Sequence, residues 1–498
     1  MNLVSNDSRI LSYVGGKLLS SSSGRVGPVF NPATGDQVGV VEMVSADEVN
    51  DSVTVARGAL DSWANLAPAK RAEVLFTFRG ILRARAGDLA QVVASEHGKV
   101  VADALGEVQR GLENVEFACG IADLLRGRQA TEVASGVDVV EIRQPLGVVA
   151  GITPFNFPVM VPLWMAANAL ACGNAMILKP SERDPSASVM LAEMLTEAGL
   201  PDGIFNVVQG DKQAVDGLLS HPDIQAISFV GSTPVARYVY ETAAAHGKRV
   251  QALGGAKNHM IVLPDADLEA AADAAVSSAF GSAGERCMAI SVLVPVGDIA
   301  DPLIELIRQR AASLKVGDGR QPDSEMGPLI TRDHETRVKS YISGAQTDGA
   351  SVVLDGREPE AALGFFVGPT IIDQVERDMP VYRDEIFGPV LSVVRASSFD
   401  EALTLVNSNP YGNGAALFTA SGGAARRFQL EVQAGMVGIN VPIPVPVAQF
   451  SFGGWKNSLF GDSPIYGHAG VSFYTRTKVV TSRWQTAGPG LSMSFPTG

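Results

Sequence analysis

Cysteine is scarce in this chain. Its 498 residues hold three, Cys119, Cys172 and Cys287, and no CxxC or HExxH spacing occurs. So few thiols offer no disulfide framework and suit a reducing compartment, and no metal site is expected. Positive charge is also short. Lys and Arg number 39 against 53 Asp and Glu, leaving a net charge of −14. No basic stripe is available to displace counterions from phosphates, so nucleic acid is not an expected partner. Runs of eighteen apolar residues are missing, and the N-terminal segment Met1–Leu11 lacks a basic region followed by an apolar core. A membrane partner is therefore not expected, and the expected location is cytoplasmic. A strict G-x-G-x-x-G is missing too, which removes the simplest signal for a dinucleotide without excluding one.

What is present is a long, apolar chain with 46% hydrophobic and 18% charged residues. That length exceeds one core, so two or three domains are expected. Residues 10–45 contain short strand-like runs broken by turn chemistry at 20–24 and 31–36. Ser45-Ala-Asp-Glu48 fits a helix-capping sequence, and apolar residues then recur at helical spacing to about Leu125. Residues 128–144 alternate as a half-exposed hairpin would. From Gly147 the texture changes to short apolar runs (147–152, 175–179, 204–208, 226–230) separated by helical stretches, which predicts a buried parallel sheet. Phe229-Val-Gly-Ser-Thr233 follows one of these strands and opens a helix, so its amides and the Ser232 hydroxyl suit a phosphate; a Gly-Ser-Thr turn is more often only a capped helix start. Two segments near 317–323 and 354–360 read as polar turns, and 441–446, with three prolines, reads as a stiff extended loop.

The chemistry concentrates at Phe280-Gly-Ser-Ala-Gly-Glu-Arg-Cys-Met288. A helix is predicted from Asp265 to Ala279, capped by the aspartate after Pro264, and a strand over 290–296. Cys287 then lies on a small-residue junction, reachable as a helix-core thiol is not. A nucleophile and a buried small hydrophobe are both open from this stretch alone.

Six motifs in order carry a resemblance over nearly the whole chain: Thr153-Pro-Phe-Asn-Phe-Pro158, Lys179-Pro-Ser-Glu182, Phe229-Val-Gly-Ser-Thr233, Gly255-Ala-Lys-Asn-His259, Glu385-Ile-Phe-Gly-Pro389 and Gly435–Pro446, joined by Gly284-Glu-Arg-Cys-Met-Ala289. The chain resembles the aldehyde dehydrogenase superfamily and, within it, the CoA-acylating methylmalonate-semialdehyde dehydrogenases. The resemblance implies an α/β fold with a Rossmann-like cofactor domain (1–125 and 145–255), an α/β catalytic domain (256–455) and a β oligomerisation arm (126–144 with 456–498). It implies a homo-oligomer, dimer or tetramer. Cys287 is the implied nucleophile and Asn156, with the Cys287 backbone N–H, the oxyanion donor. For NAD it implies Thr153, Phe155 and Arg183 beside the adenosine, Lys179 and Glu182 on its ribose, Ser232 at the pyrophosphate, Glu385 on the nicotinamide ribose with Phe387 nearby, and Gly254 as a further coenzyme contact. Arg110 is the implied substrate-binding cation, although an arginine there is more often a surface ion-pair residue. Arg286, adjacent to the nucleophile, is expected as a second, because a substrate carboxylate desolvated beside Cys287 needs a paired cation.

Hydrolytic relatives carry a glutamate in a Glu-Leu-Gly-Gly-Lys segment; the matching stretch here is Gln251-Ala-Leu-Gly-Gly-Ala-Lys257, with no carboxylate. Acylating relatives usually have asparagine there, so Leu253 departs from that pattern too. Without a base for water, a loss of about 10²–10⁴-fold in water activation leaves the thioester to a better nucleophile, the CoA thiol. The expected reaction is NAD-dependent oxidative decarboxylation of methylmalonate or malonate semialdehyde with CoA as co-substrate, giving propionyl-CoA or acetyl-CoA. The alternatives are a hydrolytic aldehyde dehydrogenase releasing a free acid, and a noncatalytic NAD-binding or structural protein on the same fold.

Overall fold

The computed structural model describes residues 8–359 and 363–484. Residues 1–7 of the N-terminal segment, Glu360 in the second polar turn and the 485–498 part of the expected tail lie outside the described residues.

Among the described residues, a first sheet has eight strands in the order Leu459–Phe460, Arg249–Leu253, Ile224–Val230, Val148–Ile152, Ala175–Lys179, Phe205–Val207, Ser12–Val14 and Lys17–Leu19. The run from Arg249–Leu253 to Phe205–Val207 is parallel. Val148–Ile152 and Ala175–Lys179 are buried along their whole length, as continuous apolar runs must be when both faces of a sheet are covered. The chain lays strands outward from Val148–Ile152 to Phe205–Val207, then returns to place Ile224–Val230 on the other side. Loops from those two neighbours leave in opposite directions and open a crevice at their C-terminal ends.

A second sheet has seven strands in the order Ser351–Leu354, Thr370–Asp373, Val390–Val393, Ile290–Pro295, Asn258–Val262, Gly414–Phe418 and Met436–Ile439. It is parallel except at the Ser351–Leu354 edge. Each large sheet lies within its own apolar core.

The strands Gln129–Ala134 and Val137–Pro145 form the expected hairpin, and Thr475–Arg483 pairs antiparallel with Val137–Pro145 from Thr475↔Pro145 to Arg483↔Val137. Just before that last strand the chain forms a short helix, Gly467–Phe473.

In the helical region, Ser45 and Glu48 make the reciprocal capping box that starts Ala46–Ala64. Helix Met160–Ala171 carries no charge on any face and is buried throughout. Helix Val101–Cys119 packs on it at Gly111, where a Cβ would stand 2.6 Å from Leu163 Cδ1, so glycine permits the close approach of the two helices. The helix before Cys287 begins later than predicted, as Leu268–Phe280. Its cap is Asp267, accepting from Ala270 N, while Asp265 accepts from Thr419 Oγ1 at 2.8 Å. Asp-Ala-Asp offers two capping carboxylates, and the tertiary partner takes the first. No helix among the described residues is long and apolar enough to cross a membrane.

Candidate active site

Helix Leu268–Phe280 ends in a tight turn, Gly281–Gly284, in which Ser282, Ala283 and Gly284 all have positive φ. At Gly284 a Cβ would stand 2.2 Å from the Gly388 carbonyl oxygen, so only glycine fits. The turn delivers Cys287 just before the strand Ile290–Pro295. There the Cys287 carbonyl accepts from Asn258 Nδ2 at 2.9 Å and Asn413 Nδ2 at 3.0 Å. Asn258 opens one strand of the second sheet and Asn413 immediately precedes another, and sequence reasoning assigned them no role.

The thiol faces the crevice of the first sheet across a cleft of about 810 Å³. That cleft is lined by Cys287, Asn156, Thr153, Phe155, Lys179, Glu182, Arg183, Ser232, Gly254, Glu385 and Phe387, so the expected nucleophile, oxyanion and coenzyme residues meet in one place. Burial, with the Glu385 carboxylate adding to it, pushes the Cys287 thiol up to about 12, against the opposing pull of the Cys287 and Met288 amides and Arg286. The resting group is therefore a thiol at neutral pH.

Asn156 is buried, and its Nδ2 donates to the Glu285 carbonyl at 3.0 Å. The turn that carries it is held by a pair that sequence reasoning missed. Lys99 and Glu107, both fully buried, are joined at 2.8 Å; Lys99 Nζ also donates to the Asn156 carbonyl at 2.6 Å, and Glu107 Oε1 accepts from Val159 N and Met160 N. Neither residue has a local motif, because the pair spans a helix start and a helix face.

The coenzyme side has its own polarity. Helix Thr233–Ala245 starts at the cleft with Ser232 as its N-cap residue, yet the Ser232 side chain makes no capping bond. Thr153 Oγ1 is buried without a partner. Lys179 Nζ lies 3.1 Å from Glu182 Oε2. Burial raises the Glu182 carboxyl, but Lys179, its own backbone amide and Arg183 outweigh that and hold it below its ordinary value. Glu385 Oε1 accepts from Ala256 N at 2.9 Å, and burial pushes its carboxyl up to about 7 despite Ala256, Lys257 and Arg337. Phe387 adopts φ 61, and its carbonyl is bonded by His334 Nε2 at 2.7 Å.

The two expected substrate cations lie outside the lining of this cleft. Arg110 pairs with Glu113 at 2.8 Å and donates to the Val445 carbonyl at 3.0 Å, in the proline-rich loop. The buried Tyr466 phenol, pushed up by burial against the opposing pull of Arg110, donates its hydroxyl to the Pro446 carbonyl. Arg286 is held by Asp103 at 2.8 Å and by Ser282 Oγ at 3.2 Å, and lines a second cavity of about 450 Å³ with Asp103 and Arg310. Its guanidinium is engaged away from the cleft that the next residue, Cys287, lines.

Residues 19–480 match the aldehyde dehydrogenase family. A malonate-semialdehyde dehydrogenase of Pseudomonas aeruginosa is 51% identical over 468 residues, 93% of this chain and 94% of that protein. The crystal structure of a methylmalonate-semialdehyde dehydrogenase from Oceanimonas doudoroffii superposes with a TM-score of 0.95 at 51% identity, covering 96% of this chain and 99% of that one. A Sinorhizobium meliloti protein solved in complex with NAD superposes with a TM-score of 0.96 at 50% identity, covering 97% and 99%. The chain belongs to the aldehyde dehydrogenase family.

Proposed function

We propose that this protein is an NAD-dependent, CoA-acylating dehydrogenase that converts malonate semialdehyde to acetyl-CoA and methylmalonate semialdehyde to propionyl-CoA, with release of CO2. The observation that carries the reading is the segment 252–255, which reaches the Cys287 cleft without a carboxylate. Ala252 and Leu253 are buried apolar residues, and Gly254 and Gly255 line the cleft where a base for water would stand. Relatives with about half of their residues in common carry the names of these two substrates.

The cleft suits a dinucleotide. An uncapped helix N-terminus, the free Ser232 hydroxyl and the unpartnered Thr153 hydroxyl are donors for a pyrophosphate and its neighbours. Lys179 and Glu182 would hold the adenosine ribose, with Thr153, Phe155 and Arg183 beside it. Gly254, Glu385 and Phe387 would flank the nicotinamide end. When bound, NAD supplies the acceptor for the aldehyde hydride.

The protein's part begins with Cys287, which must give up its proton to attack the aldehyde carbon. The oxyanion then forms beside the Asn156 amide and the Cys287 N–H, whose developing bonds strengthen as charge grows. Oxidation leaves an acyl group on Cys287 Sγ as a thioester. The carboxylate β to that carbonyl departs as CO2, its bonding pair passing into the thioester as an enolate that is then protonated. CoA sulfur attacks the acyl carbon and Cys287 Sγ leaves. In sum, malonate semialdehyde, NAD⁺ and CoA give acetyl-CoA, CO2 and NADH, which balances in atoms and charge. Arg110, beside the proline-rich loop, is the proposed partner for the substrate carboxylate; Arg286 would join it only by exchanging its partner Asp103.

The same proposal assigns coenzyme binding to 1–125 and 145–255, catalysis to 256–455 and assembly to 126–144 with 456–498. The arm supports a homo-oligomer, dimer or tetramer, because Val133, Ile142, Val479 and Val480 are exposed on it. Three free cysteines support a cytoplasmic location. Incubating the enzyme with malonate semialdehyde, NAD and CoA tests the reading: acetyl-CoA is the expected product. Free acid formed equally fast without CoA would favour hydrolysis, with Glu385, the carboxylate that acts on the Cys287 thiol, as the candidate base.

A further inference from the structure

Two residues before the nucleophile, Glu285 buries a carboxyl that the chemistry above does not use. It is 0% exposed, yet its environment holds no full ion pair. Oε1 accepts from Ile330 N at 3.2 Å and stands 3.6 Å from His334 Nε2, which already donates to the Phe387 carbonyl. Oε2 has no hydrogen-bond partner and stands 3.9 Å from His97 Nε2, and neither ring nitrogen of His97 has a partner. A buried acid and a buried imidazole, each unsatisfied, thus face one another.

The connections on either side lead to the reacting centre. The Glu285 main-chain carbonyl accepts from Asn156 Nδ2 at 3.0 Å, and Glu285 N is bonded to the Ser282 carbonyl of the nucleophile turn. His97 stacks on Phe155 at 5.9 Å between ring centroids, and Phe155 meets Phe387 edge-on at 5.8 Å, both in the coenzyme cleft.

We propose that Glu285 is a positioning residue for the oxyanion amide: its buried carboxyl, bonded to the Ile330 N–H and enclosed by the His97 and His334 imidazoles, fixes the carbonyl from which Asn156 hangs. It rests on the proposed role of Asn156 and deepens it. Lys99 and Arg183 are the nearby cations that would favour an anion here. Lys99 is committed to Glu107 and the Asn156 carbonyl, and Arg183 lies over the Phe155 ring at 5.4 Å. Burial dominates and pushes the carboxyl up to about 8 against Ile330, Lys99 and Arg183. His97 is held neutral by burial, Lys99 and Arg286, and burial likewise pushes His334 down to about 4. Loss of the proton would leave a carboxylate beside two neutral rings, and the turn that holds Asn156 would have to shift.

The test compares Glu285→Gln, which keeps the shape and a donor but cannot ionise, with Glu285→Ala, which removes the brace. Acylation is read as the first-turnover NADH burst without CoA. Glu285→Ala should slow it by about 10- to 100-fold, the scale of a misplaced oxyanion donor, and Glu285→Gln should recover most of that loss. In an Asn156→Ala background, Glu285→Ala should add little. The Gln-to-unaltered rate ratio should be flat at neutral pH and climb above about 8, because only the unaltered protein ionises there. This ratio cancels the titration of Cys287. A coenzyme-free readout follows from linkage. The folded carboxyl titrates at about 8 rather than 4.5, so the folded state keeps a proton that the unfolded chain releases. The unaltered protein should therefore lose melting temperature relative to Glu285→Gln as pH rises between those values, and the difference should level off above the upper one. A pH-independent rate ratio, a constant melting difference, or equal bursts from all three proteins would overturn the proposal. A missing burst in the unaltered enzyme would instead sink the reading of Cys287 and Asn156.

Discussion

Replacing Arg110 by leucine separates recognition of the substrate carboxylate from catalysis. Arg110 is about a third exposed, and one guanidinium nitrogen is already paired with Glu113. A carboxylate at 4 Å in a medium between water and protein interior gains about 4 kcal/mol of Coulomb attraction. Solvent screening and competition from Glu113 reduce this, so ~1–2 kcal/mol is the expected loss, or about a 5- to 30-fold fall in kcat/KM. The fold should barely notice, because Glu113 is 30% exposed and can rehydrate; less than ~1 kcal/mol of stability is at stake. The assay is NADH formation with malonate semialdehyde and, separately, with propanal, which lacks a carboxylate. Arg110→Leu should lower the first and leave the second within about twofold, the scale of uniform binding differences. Equal losses on both substrates would mean that Arg110 only braces the Val445 loop, and the carboxylate argument would fail.

Glu182, anionic beside Lys179, should repel the 2′-phosphate of NADP, so NAD should be preferred by at least about tenfold in kcat/KM, and Glu182→Gln should narrow that ratio. Equal use of both coenzymes by the unaltered enzyme would contradict the contact. Lys99→Met removes the cation paired with the fully buried Glu107 carboxyl, and should cost about 3–5 kcal/mol in urea unfolding; the Lys99→Met, Glu107→Gln double variant should be less damaged. A double variant worse than the single would show that the pair is not the source of the loss. The Cys287 thiol, pushed up to about 12, should be alkylated by iodoacetamide in the coenzyme-free protein at a rate rising about tenfold per pH unit from neutral pH to 9. A plateau near pH 8 would place the thiol much lower than burial and Glu385 allow.

Much of the fold was legible because its signals are local. The Ser45–Glu48 box, the apolar runs of the first sheet and the alternation of 128–144 each name their structure within a few residues. The helix start at Asp267 was misread because two aspartates could cap it, and only Thr419, distant in sequence, decides between them. Motif residues converged on one cleft, but their supports were not legible. Asn258 and Asn413 on the Cys287 carbonyl, and Lys99 with Glu107 behind Asn156, are tertiary pairings that leave no spacing to read. Arg286 shows the converse. Adjacent to the nucleophile in sequence, it pairs with Asp103, because neighbouring side chains on a tight turn need not share a direction. Glu285 lies inside the Gly284–Ala289 motif, and only burial distinguishes its carboxyl from a surface one.

The central claim is that Cys287 forms a thioester that water releases slowly and CoA releases fast. Mixing enzyme, NAD and malonate semialdehyde without CoA, and following NADH within the first turnover, tests it most directly. The account predicts a burst of about one NADH per active site, then slow turnover, with a fast steady rate restored by CoA and no burst from Cys287→Ala. Rapid linear NADH formation without CoA, or a burst that survives Cys287→Ala, would contradict it.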